Sequence, residues 1–372
     1  MKNDTSPIFV RTQGGSYPVL VRAGSMADLG SVAAERVRGR FALVVTDSNV
    51  APLHLAAARA SLDAAGFRTA SHVVPAGESS KNLQSLSDLW SAMHDSGLTR
   101  SDLVVALGGG VVGDLAGFAA ATWMRGVAVL QVPTSLLAFV DSAIGGKTAI
   151  DLPFGKNLAG SFHQPVAVLE DPLLLRTLPP RELRQGMAEV VKCGCILDAD
   201  FFAWLETLPP EGPMTPEDME RVVRTCAAMK ADVVSRDERE GGLRMLLNFG
   251  HTVGHAVEKS LGYGVVAHGE AVAVGMVAAA RMGEASGVTE SGTALRVESL
   301  IRRLSLPSRL SDVPAIDGGL HAICDAMLSD KKRAGSAVNF VFLESVGRAV
   351  VRPVPVTDLL PALSGAVGFE SV

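Results

Sequence analysis

The chain contains 372 residues with a formal net charge of −5; 48% of the residues are hydrophobic and 20% are charged. This length exceeds that of a single-core domain, so we expect two domains, and the composition is typical of a globular protein in water. The negative balance argues against general binding of nucleic acid, which requires a basic face. No apolar run reaches the roughly 18 residues that a membrane span requires, so no membrane partner is expected.

The N-terminus and the cysteines indicate a reducing compartment. Residues 1–15 lack the apolar core of a signal peptide. The four cysteines form no CxxC pair and no disulfide-like framework; they are Cys193, Cys195, Cys226 and Cys324. A cytoplasmic location is therefore expected.

Strand-like and helix-like segments alternate in the first half of the chain. The patterns predict strands at 41–46, 69–74, 102–107 and 127–132, and helices at 51–65 and 83–95. Strands that alternate with helices of this length favour a mostly parallel sheet covered on both faces. We therefore predict an α/β domain over residues 1–178.

A glycine-rich turn follows the third predicted strand. Residues 108–114 read GGGVVGD and lead into a helix-like stretch at 115–121. Glycines let the backbone approach a pyrophosphate, and free N–H groups at a helix start bind its charge. The formal G-x-G-x-x-G match is weak alone, and a plain tight turn fits as well, since the usual dinucleotide loop follows the first strand. Asp47 and residues 77–81 follow the two preceding strands, so three strand ends together favour a dinucleotide-binding sheet.

Two glycine–lysine segments follow residue 140. Residues 141–148 end like a Walker A loop, but that motif needs glycine where Asp141 stands, which rejects a P-loop nucleotidase. The segments around Lys147 and at 155–157 remain as two predicted loops that could grip phosphate or carboxylate oxygens. A single loop lysine is usually only solvated, whereas two beside an asparagine favour an anion site.

Beyond residue 179 the pattern becomes mainly helical, which predicts a second, mainly α-helical, metal-binding domain over residues 179–372. Helices are predicted at 181–193, 216–234, 252–261, 269–285, 295–304 and 320–328, and a β-hairpin at 339–343 and 348–352.

Three histidines within this second half suggest a metal site. His251 and His255 are spaced i, i+4 and so share one helix face, and His268 opens the next apolar run. Together with Glu189, two imidazoles and a carboxylate suit a catalytic divalent ion with one open position. Thr252 follows His251, so the H-E-x-x-H metalloprotease motif is absent. Histidines that merely pack between helices are the open alternative.

Five segments resemble the 3-dehydroquinate synthase family of the sugar-phosphate cyclases, in family order and over essentially the whole chain. They are GGGVVGDLAGFAAATWMRG, VPTSLLAFVDSAIGGKTAIDLPFGKNLAGSFHQP, LPPRELRQGMAEVVK, LLNFGHTVGHAVE and HGEAV. The resemblance implies NAD, a divalent metal (zinc, with cobalt as the alternative), and a phosphorylated sugar acid, 3-deoxy-D-arabino-heptulosonate 7-phosphate, as substrate. The product would be 3-dehydroquinate with release of phosphate.

The resemblance also implies roles for individual residues. The metal ligands would be Glu189, His251 and His268. The NAD contacts would be Asp47, Asn49, Glu78, Lys81, Gly110, Val111, Val112, Gly113, Asp114, Thr134, Ser135, Lys147, Lys156 and Thr177. The catalytic groups would be Asp141, Lys147, Asn157, Lys230, Arg244 and His255. Further substrate contacts would be Arg125, Lys192, Asn248, Lys331 and Lys332.

Arg125 resembles a family arginine that reaches a neighbouring subunit's site, which implies a homodimer. Ser135, Phe139 and Ala143 depart from the commonest family residues without removing an indispensable group. Three alternatives stay open: another sugar-phosphate cyclase, such as one that makes an aminodehydroquinate or a valiolone; a metal-dependent polyol dehydrogenase of related fold; and a non-enzymatic binding protein.

Overall fold

The computed structural model describes residues 6–209, 214–330 and 336–367. Contacts divide the chain into two compact units, an N-terminal unit of Met1–Leu183 with Thr215–Arg239 and a C-terminal unit of Arg184–Met214 with Glu240–Val372. The second unit thus begins inside a helix. It is interrupted by the segment Thr215–Arg239, which belongs to the first unit, and continues from Glu240. The predicted domain limits, 1–178 and 179–372, stay a prediction.

The N-terminal unit is an α/β fold. Its strands are β1 (Ile8–Thr12), β2 (Gly15–Val21), β3 (Phe41–Asp47), β4 (Arg68–Val74), β5 (Leu103–Gly108), β6 (Ala128–Pro133), β7 (Lys147–Leu152), β8 (Gly155–Phe162) and β9 (Ala167–Glu170). Its helices are α1 (Leu29–Arg36), α2 (Ala56–Ala64), α3 (Leu83–Asp95), α4 (Gly110–Thr122) and, numbered by its place in the chain, α7 (Pro216–Arg236). The four predicted strands and the helix at 83–95 are confirmed, and the helix predicted at 51–65 is present as a π-helical turn at Ala51–Leu55 that continues directly into α2.

A seven-stranded sheet forms the centre of this unit, in the order β1-β2-β9-β6-β5-β3-β4. Only the β1–β2 pair is antiparallel, so the predicted mostly parallel sheet is confirmed. The chain runs from β3 outward to β4 and then returns to place β5 on the other side of β3. This reversal of strand order is the kind of switch point at which α/β sheets bind ligands, outside the carboxyl ends of their strands.

Apolar side chains cover both faces of the sheet, which explains the unbroken hydrophobic runs of its central strands. In β5, Val104 and Ala106 pack in a core with α3 and α4, while Leu103, Val105 and Leu107 pack in a second core with α1 and α2. All five side chains are buried. This packing holds the strand ends in place, so the loops beyond them start from fixed points.

The region around the two glycine–lysine segments differs from the prediction. Lys147 begins β7, and residues 155–157 begin β8, so an antiparallel hairpin stands where two loops were predicted. The run Thr148-Ala-Ile150 is buried and supplies the apolar strand between the two lysines. The sequence reading failed here because glycine and lysine dominated the local pattern.

The C-terminal unit is mainly helical, as predicted. Its elements are α5 (Pro180–Leu197), α6 (Ala199–Leu205), α8 (His251–Leu261), α9 (His268–Ala285), α10 (Thr293–Arg303), α11 (Gly319–Asp330), β10 (Ala337–Ser345), β11 (Arg348–Pro355) and α12 (Val356–Val367). The predicted hairpin is confirmed as β10 and β11. Among the residues that the structure describes, no helix has the length and apolar character needed to cross a membrane.

Glycines bring α8 and α9 unusually close together. A Cβ atom added at Gly275 would lie 1.9 Å from the carbonyl oxygen of Gly250, and one added at Gly254 would lie 3.0 Å from a backbone oxygen of α9. Gly250 also adopts φ 80 at the start of α8, a conformation that glycine tolerates best. This close approach brings together His251 and His268, the first residues of the two helices.

Candidate metal centre and nucleotide edge

The three predicted metal ligands converge in the C-terminal unit. Oε1 of Glu189 lies 3.5 Å from Nε2 of His251 and 3.6 Å from Nε2 of His268. Ligand atoms about 2.0–2.2 Å from a tetrahedral zinc ion are separated by roughly 3.4 Å. These spacings therefore fit a divalent ion held by the carboxylate and two imidazoles.

His255 belongs to the same cluster. The ring nitrogens of His251, His255 and His268 lie within 4.8 Å of one another, and the ring centroid of His255 is 5.2 Å from that of His251. The structure thus offers a three-histidine ligand set as well as the predicted set. The exposed position of His255, against the burial of Glu189, favours Glu189 as the ligand and His255 as the group that meets the solvent side.

Charge around Glu189 keeps its carboxylate ionised. Lys192, one helical turn further along α5, pairs with it, and both side chains are 1% exposed. Burial alone would raise the pKa of Glu189, but Lys192 and the two histidines hold it well below its usual range. Burial also lowers the pKa of His251 to about 3, which keeps that imidazole in the neutral form that binds metals.

The second imidazole lies between two carboxylates. Nδ1 of His268 is 3.2 Å from Oε2 of Glu258, while Nε2 faces Glu189. Burial would lower the pKa of His268, but the hydrogen bonds and charges of the two carboxylates outweigh it and raise the pKa to about 10. A metal ion that binds here must therefore displace a proton.

The predicted nucleotide contacts meet at the switch point of the N-terminal sheet. Val45 of β3 pairs with Ala106 of β5, so Asp47 and Gly108, two residues further on, adjoin at the carboxyl edge. The helix after β5 was predicted at 115–121, but α4 already begins at Gly110. The residues predicted to contact NAD at 110–114 are thus the first turn of a helix, whose free N–H groups suit a pyrophosphate.

Glycine also provides space at this turn. A Cβ atom at Gly109 would come within 3.2 Å of the Ser135 hydroxyl, and one at Gly110 within 3.1 Å of the Ser142 hydroxyl. Asp47 caps the neighbouring turn, because its Oδ1 accepts the backbone N–H groups of Asn49 and Val50 at 2.8 and 3.0 Å. The free N–H groups at the start of α4 and the space left by Gly109 and Gly110 fit a dinucleotide.

Lys81 is the centre of a polar cluster beside that turn. Its buried ammonium lies 2.6 Å from Oδ2 of Asp114 and also donates to Oδ1 of Asn157, and Glu78 lies 3.9 Å away. Burial raises the pKa of Asp114 to about 6, although Lys81 acts in the opposite direction. Four residues predicted from three separate segments therefore share one cluster.

Two further predicted site residues form a pair at helix α7. Lys230, which is buried, forms an ion pair with Asp141 in the turn Ala138–Ser142. Of the other nucleotide residues, Thr134 donates its backbone N–H to Gly108 at 2.9 Å. Thr177 lies 2.9 Å from Nε2 of His54, a neighbour that the sequence reading did not include.

The remaining predicted residues are distributed as follows. In the N-terminal unit, Lys147 and Lys156 lie on the β7–β8 hairpin, Ser135 follows β6, and Val111, Val112 and Gly113 lie in α4. Arg125 is exposed in the turn Trp123–Arg125. In the C-terminal unit, Arg244 is buried in the turn Leu243–Asn248, and the side chain of Asn248 donates a hydrogen bond to Glu240 at 2.8 Å. Lys331 and Lys332 lie outside the described residues.

Glu258 is the residue at this centre that the sequence reading missed. It lies seven residues after His251, and this spacing returns to the same helix face after two turns. An acidic residue on the histidine face of α8 was the signal that could have indicated it.

Comparison with known proteins agrees with this geometry. Residues 71–185 match the model of the 3-dehydroquinate synthase N-terminal domain, and residues 186–333 match the model of its C-terminal domain. The chain belongs to the 3-dehydroquinate synthase family. It is 50% identical to the 3-dehydroquinate synthase of Gloeobacter violaceus over 335 residues, which is 90% of this chain and 91% of that one. It is 45% identical to the Nostoc punctiforme enzyme over 361 residues, 96% and 97% of the two chains.

Solved structures extend the likeness to other sugar-phosphate cyclases. A 2-deoxy-scyllo-inosose synthase bound to carbaglucose-6-phosphate, NAD+ and Co2+ matches with a TM-score of 0.85 at 26% identity, over 96% of this chain and 99% of that one. The 2-epi-5-epi-valiolone synthase of Streptomyces hygroscopicus, with NAD+ and Zn2+, matches with a TM-score of 0.83 at 27% identity, over 93% and 95%. Maleylacetate reductase from Agrobacterium tumefaciens, at 18% identity and a TM-score of 0.66 over 94% and 95%, shares the fold alone.

Proposed function

We propose that this protein is a 3-dehydroquinate synthase that converts 3-deoxy-D-arabino-heptulosonate 7-phosphate to 3-dehydroquinate and phosphate. NAD and a divalent ion, zinc or cobalt, would be its cofactors. The convergence of Glu189 on the Nε2 atoms of His251 and His268 carries the proposal, because family membership predicts this donor set and a protein that merely kept the fold would not need it.

The reaction is redox-neutral overall. The C5 alcohol is oxidised, which acidifies the C6 proton; phosphate leaves by β-elimination; and C5 is reduced again. The C–O bond of the sugar ring then breaks to release the C2 ketone and the enolate, which close by an intramolecular aldol step. An ion held by Glu189, His251 and His268 would polarise the C5 oxygen, and bound NAD would take up and return one hydride. The leaving phosphate of the substrate can accept the C6 proton, so we assign no protein base to the elimination.

The side chains of this protein then have three tasks. His255 would carry the proton of the C5 hydroxyl, since an imidazole titrates in the neutral range. Lys147, Lys230 and Arg244 would bind the carboxylate and phosphate of the substrate through charge-assisted hydrogen bonds. Lys81, Asp114 and the first turn of α4 would orient NAD and exclude water from it.

The test is to incubate the purified protein with heptulosonate 7-phosphate, a catalytic amount of NAD, and zinc, and to identify the product. We expect 3-dehydroquinate and one phosphate per substrate, with no net NADH. Stoichiometric NADH would instead identify a polyol dehydrogenase. A cyclic product from a different sugar phosphate, with heptulosonate 7-phosphate left unused, would identify another cyclase.

We also propose that the protein acts as a homodimer. Arg125 is exposed, and β8 exposes two apolar side chains, Leu158 at 58% and Phe162 at 46%, which a second subunit would cover. If Arg125 serves the neighbouring site, inactive Arg125→Ala and His251→Ala chains should regain activity when co-expressed. No recovery in a mixed dimer would contradict the shared site.

The cytoplasm remains the predicted location of this protein.

A further inference from the structure

The imidazole of His268 has a different environment at each of its two nitrogens. Nε2 lies 3.6 Å from Oε1 of Glu189, on the side of the predicted ion. Nδ1 lies 3.2 Å from Oε2 of Glu258, on the opposite side of the ring. The metal side and the Glu258 side of the ring are therefore distinct.

The position of Glu258 is determined by α8. It lies two helical turns after His251, and its side chain is only 5% exposed. The helix faces α9 across the close glycine contact at Gly254, and His268 is the first residue of α9. A buried carboxylate in this position reaches the ring of His268 from the far side.

His251 has an equivalent arrangement with a weaker partner. Its Nδ1 lies 3.2 Å from the backbone oxygen of Phe249, while its Nε2 faces Glu189. Each ring can thus donate Nδ1–H and present the Nε2 lone pair. A carboxylate acceptor makes an imidazole a stronger electron donor than a carbonyl does, and such partners fix the tautomer and orientation of metal-binding histidines.

We propose that Glu258 is a positioning residue that holds His268 in the Nδ1–H tautomer and directs Nε2 at the catalytic ion. This inference rests on the proposed function, because it assumes that Glu189, His251 and His268 bind the ion. Glu258 itself would not touch the ion or the substrate. Its effect on turnover would pass entirely through His268.

The experiment compares Glu258→Gln with a control in the same unit. Glutamine retains the shape of the side chain but removes the charge. Glu298→Gln is the matched control, because Glu298 is also a buried glutamate but pairs with Arg281, Arg302 and Arg309. Metal affinity would be measured by competition with a chelator, and the site geometry by the visible spectrum of the cobalt form. Melting temperatures of the metal-free proteins would report on folding alone.

We expect Glu258→Gln to weaken metal binding by about 10–100-fold, the usual effect of losing such a partner, and to shift the cobalt spectrum. Glu298→Gln should lower the melting temperature but leave affinity and spectrum unchanged. Wild-type affinity and spectrum in Glu258→Gln would overturn the inference while leaving the proposed function intact. Failure of the zinc-loaded wild type to form 3-dehydroquinate from heptulosonate 7-phosphate would instead refute the proposed function.

A measurement on the unmodified protein covers the case in which Glu258→Gln fails to fold. Nitrogen-15 labelling of histidine distinguishes the tautomers by NMR in the zinc-loaded wild type. We expect His268 to carry its proton on Nδ1 in a strong hydrogen bond. A proton on Nε2 would overturn the inference.

Discussion

The ammonium of Lys192 lies against the carboxylate of Glu189 three residues earlier on α5, and both side chains are 1% exposed. The resemblance had suggested Lys192 as a contact for the substrate. That role stays a prediction, and the position of Lys192 also provides the counter-charge for the buried carboxylate of a predicted metal ligand. A buried carboxylate without such a partner would be costly or protonated, so this pair keeps Glu189 ready to bind an ion.

Replacing Lys192 by Met should therefore destabilise the metal-free protein. Removing one partner of a buried ion pair costs about 3–5 kcal/mol, and zinc should restore part of this loss, because the ion supplies the missing positive charge. Urea unfolding measures the loss in free energy of unfolding twice, once with a chelator and once with zinc. Lys192→Arg is the control variant, because it retains the positive charge. An equal loss under both conditions would show that Lys192 does not act through the metal site.

Alanine variants should separate the two possible ligand sets. Glu189→Ala, His251→Ala and His268→Ala should each lose bound zinc and turnover, by more than the roughly 10–100-fold that the loss of a supporting residue costs. His255→Ala should retain zinc and lose turnover only. The zinc content of each variant, measured together with its activity, decides between the two ligand sets. Full zinc content in Glu189→Ala together with metal loss in His255→Ala would identify the three-histidine set instead.

The structure brings together the three residues that the sequence predicted as metal ligands, because metal chemistry restricts both the residue types and their spacing; their role as ligands stays a prediction. The sequence motifs did not predict Glu258, since a glutamate on a helix is ordinarily solvated and only the packing of α8 on α9 aims it at His268. The pairing of Lys192 with Glu189 was not predicted either, although the i, i+3 spacing of the two residues on a helix is a signal for such a pair. The predicted contact between Lys192 and the substrate stays a prediction.

Local patterns predicted the central strands and the long helices but not how they are arranged. The glycine turn follows the third predicted strand and not the first, as in the usual dinucleotide loop; strand order explains this position, because β5 lies beside β3 at the switch point. Strands β1, β2 and β9 were missed because they are short or lie among polar residues. Pairing with distant strands stabilises them, and local propensity does not report such contacts.

The glycine contact between α8 and α9 should be essential for the metal centre. Gly275→Ala places a Cβ atom 1.9 Å from the backbone oxygen of Gly250, so the helices must separate and carry His251 away from His268. We expect lost stability and weakened zinc binding together. Gly365→Ala is the control, because nothing lies within 4 Å of its added Cβ in α12; there the helix should gain up to about 1 kcal/mol. Normal zinc affinity in Gly275→Ala would contradict this account.

Asp114 should make stability depend on pH. Its pKa is raised from 3.8 to about 6 by burial, so the folded state holds this proton more tightly than the unfolded state does. Raising the pH from about 4 to about 6 therefore favours unfolding, and the contribution of Asp114 to stability falls across that window. Asp114→Asn cannot titrate. Urea unfolding without cofactors gives the free energy of unfolding of each protein. The wild-type value minus the Asp114→Asn value should fall as the pH rises from about 4 to about 6; a constant or rising difference would contradict the raised pKa.

Arg244 provides the test of the anion site. The protein is acidic overall, yet its proposed substrate carries two anionic groups that need cationic partners, and the guanidinium of Arg244 is a buried cation. A planar guanidinium can bind a carboxylate or phosphate through two parallel hydrogen bonds, which lysine cannot reproduce. Arg244→Lys should retain the fold and zinc but lower kcat/KM by a factor equivalent to about 1.5–3 kcal/mol, the range for hydrogen bonds to charged groups. The exposed Arg348→Lys serves as the control, and kcat/KM is measured beside the melting temperature. Unchanged catalysis would remove Arg244 from the site, and unfolding with normal residual catalysis would assign it to the fold alone.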